Sequence, residues 1–181
     1  MPCSAGRRWS DIALAEKVRA GETEALAELY ARYWRLVRSI AYRLTESRED
    51  ADDVLQDVFV ALPDALRTFE GRGSLEGWLR TVAARRSLMA LRKRRSLRET
   101  PLDAYRRHRT PSAAEPTVDR IALERALAEL ADPLRVVFIL HEVHGFKHQE
   151  ISEMLGIGVE GSKSRLHRAV RRLRERLRSG Q

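Results

Sequence analysis

The stretch that decides the fold is residues 146–169, FKHQEISEMLGIGVEGSKSRLHRA. Its first part carries Ile151, Met154 and Leu155 at helical spacing, which predicts a short helix. Gly156 follows directly and supplies the left-handed residue that a tight turn needs. A second helix is predicted a few residues further on. Two helices joined by such a turn form a helix–turn–helix.

The second helix of this motif is predicted to begin near Glu160 and to present a polar, basic face. Side chains at the front of such a helix meet base edges in the major groove of DNA, and later ones lie nearer phosphates. The front residues are Lys163, Ser164, His167 and Arg168. The later ones are Arg171, Arg172 and Arg174. The alternative is a helical hairpin with a solvated basic face.

Apolar residues recur at helical spacing through most of the remaining chain. The pattern predicts helices over 24–44, 47–62 and 75–94, and helical structure again from 118 to about 177, interrupted at Gly145 and at the turn of the motif. No stretch sustains two-residue alternation, so the predicted fold class is all-α. The side chains predicted to face inward from the 75–94 helix are Leu75, Trp78, Leu79, Val82, Ala83 and Met89.

Local signals set the boundaries of these helices. Ser47 is a predicted N-cap, and Asp50 three residues later completes a pattern like a capping box. Pro63 is predicted to end or kink its helix. Gly71 and Gly73 mark a loop before the next helix.

Residues 96–117 differ in composition from the rest, with three prolines, several arginines and few apolar side chains. Such a segment is typical of an extended, flexible linker. The sequence therefore predicts two small helical domains, 10–95 and 118–178, joined by a linker that contains proline and arginine.

Composition narrows the kind of partner. The 181 residues include 34 Lys and Arg against 26 Asp and Glu, a net charge of +8, which favours a polyanion such as nucleic acid or an acidic membrane surface. A single cysteine, Cys3, forms neither a disulfide framework nor a cysteine zinc site. The sequence has no signal peptide and no run near the ~18 apolar residues of a membrane span. We expect a cytoplasmic protein.

Two charged clusters lie in the first predicted domain. The basic one consists of Arg80, Arg85, Arg86, Arg92, Lys93, Arg94, Arg95 and Arg98, and phosphate contact is its natural use. The acidic one consists of Glu46, Glu49, Asp50, Asp52, Asp53 and Asp57. Because DNA would repel the acidic cluster, it predicts a basic protein partner. The alternatives are a solvated helix end for the first and a solvated acidic face for the second.

The histidine-rich segment does not predict a metal site. His141, Glu142, His144 and His148 lie close together in sequence, and His144 and His148 are four residues apart. Gly145 interrupts the helix between these two histidines and stands where the zinc-protease pattern, starting at His141, requires histidine. No nucleophile, base and acid are arranged for catalysis, and no nucleotide-binding loop is present. The sequence therefore predicts no catalytic residues, no metal and no cofactor.

Two blocks of sequence, in order around the linker, resemble the two domains of bacterial sigma-70 family proteins. The first block is DADDVLQDVF (50–59) followed by GSLEGWL (73–79) and the arginine-rich helix. The second is LRVVFIL (134–140) followed by the helix–turn–helix with KSRLHRA (163–169). The chain has no room for the two long additional regions of housekeeping sigma factors, so it resembles the compact extracytoplasmic-function (ECF) group.

The resemblance implies a non-enzymatic subunit that directs core RNA polymerase to promoter DNA, with an anti-sigma protein as a further expected partner and no membrane insertion. The residues that match the polymerase-docking helix are Asp50, Asp53, Gln56 and Asp57. Those expected at the minus-ten element, where a loop captures an unstacked base, are Arg72, Ser74, Arg80, Arg85, Arg86, Arg92 and Lys93. Those expected at the minus-thirty-five element are Lys163, Ser164, Arg165, His167, Arg168 and Arg171.

The chain departs from many relatives at three points. Arg85 stands where many have Asn, and Lys147 stands where many have a Ser or Thr that caps the helix. Residues 160–162, Glu-Gly-Ser, replace Gly-Thr-Val at the front of the recognition helix. Two rival interpretations are a helix–turn–helix regulator that acts without polymerase, and a basic RNA-binding or ribosome-associated protein.

Overall fold

The computed structural model describes residues 9–71, 73–98 and 118–179. Within these ranges the chain is helical and contains no strand, which confirms the all-α prediction. The chain divides into two compact units, Met1–His108 and Arg109–Gln181. The predicted linker is outside the described residues from 99 to 117.

The first unit contains four α-helices. They are α1 (Asp11–Arg19), α2 (Thr23–Thr45), α3 (Arg48–Ala65) and α4 (Leu75–Arg98), with a 3₁₀ turn, Leu66–Thr68, after α3. The long α2 packs against both α3 and α4 and is the centre of the unit. Apolar burial drives this packing, because aliphatic side chains from all four helices leave water together. Its fully buried members include Leu14, Leu29, Ile40, Leu44, Leu62, Leu75 and Leu79.

The helix α1 was not among the predicted helices. Its sequence nevertheless contains the residues that cap it and fix its start. Ser10 caps it by accepting the Ala13 N–H at 3.3 Å. Tyr33 on α2 donates its hydroxyl to Asp11 at 2.8 Å, and burial together with this carboxylate raises the pKa of Tyr33 to about 12. Arg32 pairs with Asp11 at 3.1 Å. The start of α1 is thereby held on α2.

The predicted N-cap of α3 is confirmed, because Ser47 Oγ accepts the Asp50 N–H at 3.1 Å. The prediction that the Asp50 side chain completes a capping box with Ser47 was wrong. The carboxylate of Asp50 pairs with Arg94 on α4 at 2.7 Å, and the Ser47 N–H donates to Thr45 at 3.4 Å.

Pro63 was predicted to end or kink its helix. The helix α3 continues for two residues beyond Pro63 and then tightens into the 3₁₀ turn.

Two expectations for α4 need correction. The helix runs to Arg98, so residues 96–98 of the predicted linker are helical. Met89, predicted inward, is 57% exposed, while Ala84 and Leu88 are buried. The buried row drifts around the axis along α4, and in its second half it consists of Ala84, Leu88 and Leu91. At about 100° per residue, Met89 lies about 100–160° away from these three residues, on the outer side.

The second unit contains α5 (Val118–Ala128), α6 (Asp132–Phe138), α7 (His148–Leu155) and α8 (Val159–Ser179). A π-helical turn, Ile139–Val143, continues α6. A break at 129–131, which was not predicted, separates α5 from α6, and Pro133 stands in the first turn that follows. A small core joins α5, α6 and α8 through Ala126, Leu130, Leu134, Ala169 and Leu173.

Candidate protein and nucleic-acid interfaces

The acidic cluster separates into two groups with different surroundings. Asp53, Gln56 and Asp57 are exposed, and their spacing puts them on one side of α3. Asp50 is half-buried in its ion pair with Arg94. Asp52 is exposed but binds the Arg38 guanidinium at 2.5 Å. Of the predicted docking residues, the structure therefore brings Asp53, Gln56 and Asp57 together and directs Asp50 toward α4.

An apolar groove of about 570 Å³ lies beside this acidic side, between α2 and α3. Tyr30 and Phe59 line it and make an edge-to-face ring contact with centroids 4.8 Å apart. Val60, which is 75% exposed, also lines it. The groove was not predicted, because Tyr30 falls at the same helical spacing as the buried apolar residues of α2. The available signal was Val60, an apolar residue outside the buried side of α3.

The predicted loop before α4 is present. Gly71 and Gly73 have φ angles of +73° and +95°, which L side chains rarely adopt. Ser74 Oγ accepts the Gly77 N–H at 3.0 Å and so caps α4. Arg72 is outside the described residues.

The basic residues of α4 do not share one face. Arg85, Arg92 and Lys93 are exposed on the outer side, with Arg86 half-buried at its edge. Arg80 lies about 140° around the helix axis from Arg85, and its guanidinium pairs with Glu76 at 2.6 Å. The structure thus gathers most of the predicted minus-ten residues and leaves Arg80 on another side. The side chains of Arg95 and Arg98 are outside the described part of the chain.

The helix–turn–helix is built as predicted. Gly156 ends α7 with φ +65°, and the buried Ile151 holds α7 on its neighbours. Ser152 donates its hydroxyl to the Ile157 carbonyl at 2.6 Å, which fastens the turn to α7. Lys147 has no side-chain acceptor for the first N–H groups of α7. Glu150 supplies only the reciprocal contact of a capping box, by accepting the Lys147 N–H at 2.7 Å. The departure at Lys147 therefore leaves the capping box half formed.

The outer face of α8 carries most of the predicted DNA contacts. The exposed residues of that set are Lys163, Ser164, His167, Arg168 and Arg171. Arg165 is half-buried at the edge of the face. Glu160 lies on the same face, 81% exposed, and pairs with Lys163 at 2.7 Å. The front of the helix is therefore a mixed acidic and basic surface.

Two of the histidines weighed for metal binding form a stacked pair instead. The rings of His141 and His148 are 4.4 Å apart and inclined by 22°, and His148 Nδ1 lies 2.9 Å from the buried Ser162 hydroxyl on α8. Burial, followed by the nearby His141 and Lys163, lowers the pKa of His148. Among the described residues no three His, Cys, Asp or Glu side chains are arranged for a metal ion.

Two helical units, one with an acidic and a basic helix and the other with a helix–turn–helix, define a DNA-binding transcription protein. The sigma-70 region 2 profile matches residues 29–97, and the sigma-70 region 4 profile matches residues 120–173. The chain belongs to the sigma-70 family, in its ECF group. As a sigma factor it binds core RNA polymerase and directs it to promoters.

The curated relatives support the assignment over most of the chain. RNA polymerase sigma factor CarQ of Myxococcus xanthus is 30% identical over 90% of this chain and 94% of its own length. ECF RNA polymerase sigma factor SigM of Mycobacterium tuberculosis is 28% identical over 91% of this chain and 83% of its own.

Solved structures show the same fold at lower identity. The sigma factor RpoE of Bartonella quintana, in complex with the anti-sigma factor NepR, is 24% identical, with a TM-score of 0.67 over 84% of this chain and 96% of its own. CnrH in complex with the cytosolic domain of CnrY gives 0.61 over 94% and 99%, also at 24% identity. No helix in the described ranges is long and apolar enough to span a membrane.

Proposed function

We propose that α3 docks on core polymerase through Asp53, Gln56 and Asp57 together with the apolar groove between α2 and α3. The observation that carries this proposal is an exposed acidic surface in a chain of net charge +8, directly beside exposed apolar side chains. Apolar contact supplies affinity, and complementary charge supplies orientation and association rate. Asp50 acts indirectly, because its carboxylate is held by Arg94.

The outer face of α4 and the loop before it bind the minus-ten element. Arg85, Arg92 and Lys93 face the phosphates, and the loop holds one base outside the stack. Extrusion of a base costs a few kcal/mol of lost stacking and pairing. Contacts to the loop and to the basic face offset this cost. Arg80 contributes by pairing with Glu76 in the first turns of α4, rather than by phosphate contact.

The outer face of α8 binds the minus-thirty-five element, with Lys163, His167 and Arg168 toward base edges and Arg171 toward phosphates. Both domains then contact one promoter while the chain is docked on polymerase. Linkage raises the effective concentration of the second contact, so neither domain needs to bind DNA tightly by itself. We expect the separated domains to bind promoter DNA much more weakly than the holoenzyme does.

Run-off transcription with purified bacterial core polymerase tests the docking surface. The templates are a library of upstream regions from the source genome. Asp53→Arg combined with Asp57→Arg is expected to abolish the transcripts that depend on the chain. Asp64→Arg is the matched control, because Asp64 is an exposed acid near the far end of the same helix.

The outcomes of this experiment separate docking from DNA binding. Loss of transcripts in the double variant, with Asp64→Arg unaffected, supports the assigned surface. Equal loss of transcripts in both variants would mean that Asp53 and Asp57 have no specific role in docking on core polymerase. If core polymerase ignores the wild-type chain while the chain footprints DNA alone, the protein is a regulator that works without polymerase.

An anti-sigma protein is the partner we propose for the inactive state. The support comes from two fold neighbours, RpoE, which was solved with the anti-sigma factor NepR, and CnrH, which was solved with the cytosolic domain of CnrY. Such a partner would compete with core polymerase for α3, so its addition should release the chain from holoenzyme in a size-exclusion assay. The chain itself acts by binding rather than catalysis, in the cytoplasm where core polymerase works.

A further inference from the structure

Arg19, in the last turn of α1, contacts the 3₁₀ turn after α3 and the start of the loop before α4. Its Nε donates to the Leu66 carbonyl at 2.8 Å, and a terminal nitrogen of the same guanidinium donates to the Phe69 carbonyl. These two carbonyls are separated by 47 and 50 residues from Arg19 in sequence. They mark the point where the chain leaves the 3₁₀ turn for the loop.

The loop is fixed at its two ends by different contacts. At the start, the Leu66 carbonyl also accepts the Phe69 N–H at 3.0 Å, so Arg19 closes a small network around the last helical turn. The Phe69 ring then packs against Trp78 on α4 with ring centroids 5.6 Å apart. At the far end, Ser74 caps α4. Arg19 is therefore the contact through which α1 restrains the loop start.

We infer that Arg19 is a positioning residue for capture of the unstacked minus-ten base. This inference rests on the proposed role of the loop. A loop that holds an extruded base works well only if its backbone is already in place, because misplacement by about 1 Å costs a large factor in such positioned contacts. A planar guanidinium can hold two carbonyls in fixed geometry, whereas a lysine ammonium is a point charge on a flexible stem.

The variants are Arg19→Ala and Arg19→Lys, with Lys17→Ala as the matched control. Lys17 is a cation in the same last turn of α1, but its ammonium pairs with Glu22 at 2.8 Å. We expect Arg19→Ala to assemble with core polymerase as tightly as wild type and to lose about tenfold in open-complex formation. Arg19→Lys should recover only part of this loss. Lys17→Ala should behave like wild type in both assays.

An abasic scan of the minus-ten element distinguishes a positioning role from a general loss of stability. A single abasic site is placed in turn at each position of the promoter strand, and binding to each holoenzyme is measured. At the position of the captured base, Arg19→Ala and the lesion should be strongly non-additive, since both remove the same contact. At the other positions, their effects should add. Additivity at every position would overturn the inference.

Hydrogen exchange tests the restraint without DNA, so the inference stays testable if the proposed loop function fails. Arg19→Ala should speed exchange of the Phe69 and Glu70 amides several-fold in the whole chain and leave the middle of α4 unchanged. Faster exchange with no lesion-sensitive position in wild type would sink the minus-ten role of the loop and, with it, this use of Arg19. Unchanged exchange in the Arg19→Ala chain would remove the positioning argument directly.

Discussion

The two basic helices of this protein, α4 and α8, use their charged side chains in different ways. On α4, Arg80 pairs with Glu76 and Arg94 with Asp50, so part of the basic cluster serves the fold. On α8, the front face is exposed, and its ion pairs Lys163–Glu160 and Arg171–Glu175 lie in solvent. The comparison indicates that part of the charge on α4 stabilises the fold, whereas the front face of α8 can vary without loss of the fold.

The largest expected effect tests the structural role of α4. Leu79→Ala removes a fully buried side chain of α4 and should destabilise the first unit by about 2–5 kcal/mol, because the core cannot fill the space. Urea unfolding followed by tryptophan fluorescence measures this, since all three tryptophans (Trp9, Trp34, Trp78) are in the first unit. His167→Ala on the exposed face of α8 should leave the stability of the second unit unchanged, as measured by hydrogen exchange of its amides. A loss of stability of similar size in both variants would erase the distinction between the two helices.

The next effect concerns the Asp50–Arg94 ion pair, which joins α3, the proposed docking helix, to α4. Each side chain is about a third exposed, at 31% and 27%, so solvent screening limits the coupling to about 1 kcal/mol. A double-mutant cycle with Asp50→Asn and Arg94→Gln should show that coupling in the unfolding free energy of the first unit. Additive effects would mean that the pair contributes nothing to holding α3 on α4.

Features that depend on residues close together in the sequence could be predicted, whereas features that depend on distant partners could not. The helix over 47–62, the Ser47 cap and the Gly156 turn depend on neighbours within a few residues, and all were confirmed. The ion pair of Asp50 with Arg94 joins residues 44 apart in sequence, and no local pattern shows it.

The errors on α4 and in the groove have the same physical origin. The outward position of Met89 depends on the phase of α4 against α2, which a spacing pattern leaves ambiguous between neighbouring residues. Tyr30 likewise continues an apolar stripe while lining an open groove. In both cases the sequence identifies an apolar side chain, and only the packing decides whether protein or solvent covers it.

Within the second unit, the His141–His148 pair should make stability depend on pH. The pKa of His148 is lowered by burial, His141 and Lys163, against smaller opposing effects of Glu160 and Glu142. As pH falls below the unfolded value of 6.5, the unfolded chain binds a proton that the folded chain resists. The stability of this unit should therefore decrease from about pH 6.5 down to the lower folded pKa and be constant in this respect above it.

Hydrogen exchange of the α7 amides at pH 7.5 and 5.5 checks this prediction, and an NMR titration of the imidazole gives the pKa itself. His148→Gln should remove most of the pH dependence, while His167→Gln, which alters an exposed ring on α8, should keep it. If the pKa of His148 in the folded chain is above 6.5, the stability of the second unit would change with pH in the opposite direction, and the prediction would be wrong.

The smallest expected effect sharpens the description of α8 as a variable surface. Glu160 is exposed beside Lys163 on the proposed DNA-binding face, where its carboxylate would repel phosphates and pairs with the lysine ammonium. Glu160→Gln removes that charge while keeping the shape, and an exposed pair of this kind is worth about 0.2–1 kcal/mol. Holoenzyme should bind promoter DNA roughly twofold more tightly, with a steeper salt dependence because Lys163 becomes available to a phosphate. Glu153→Gln is the control, because Glu153 is an exposed carboxylate of the same unit that lies on α7, and competition binding at two salt concentrations separates the two variants. Weaker binding by Glu160→Gln would mean that the carboxylate accepts a hydrogen bond from a base, which would make Glu160 a specificity residue of this chain.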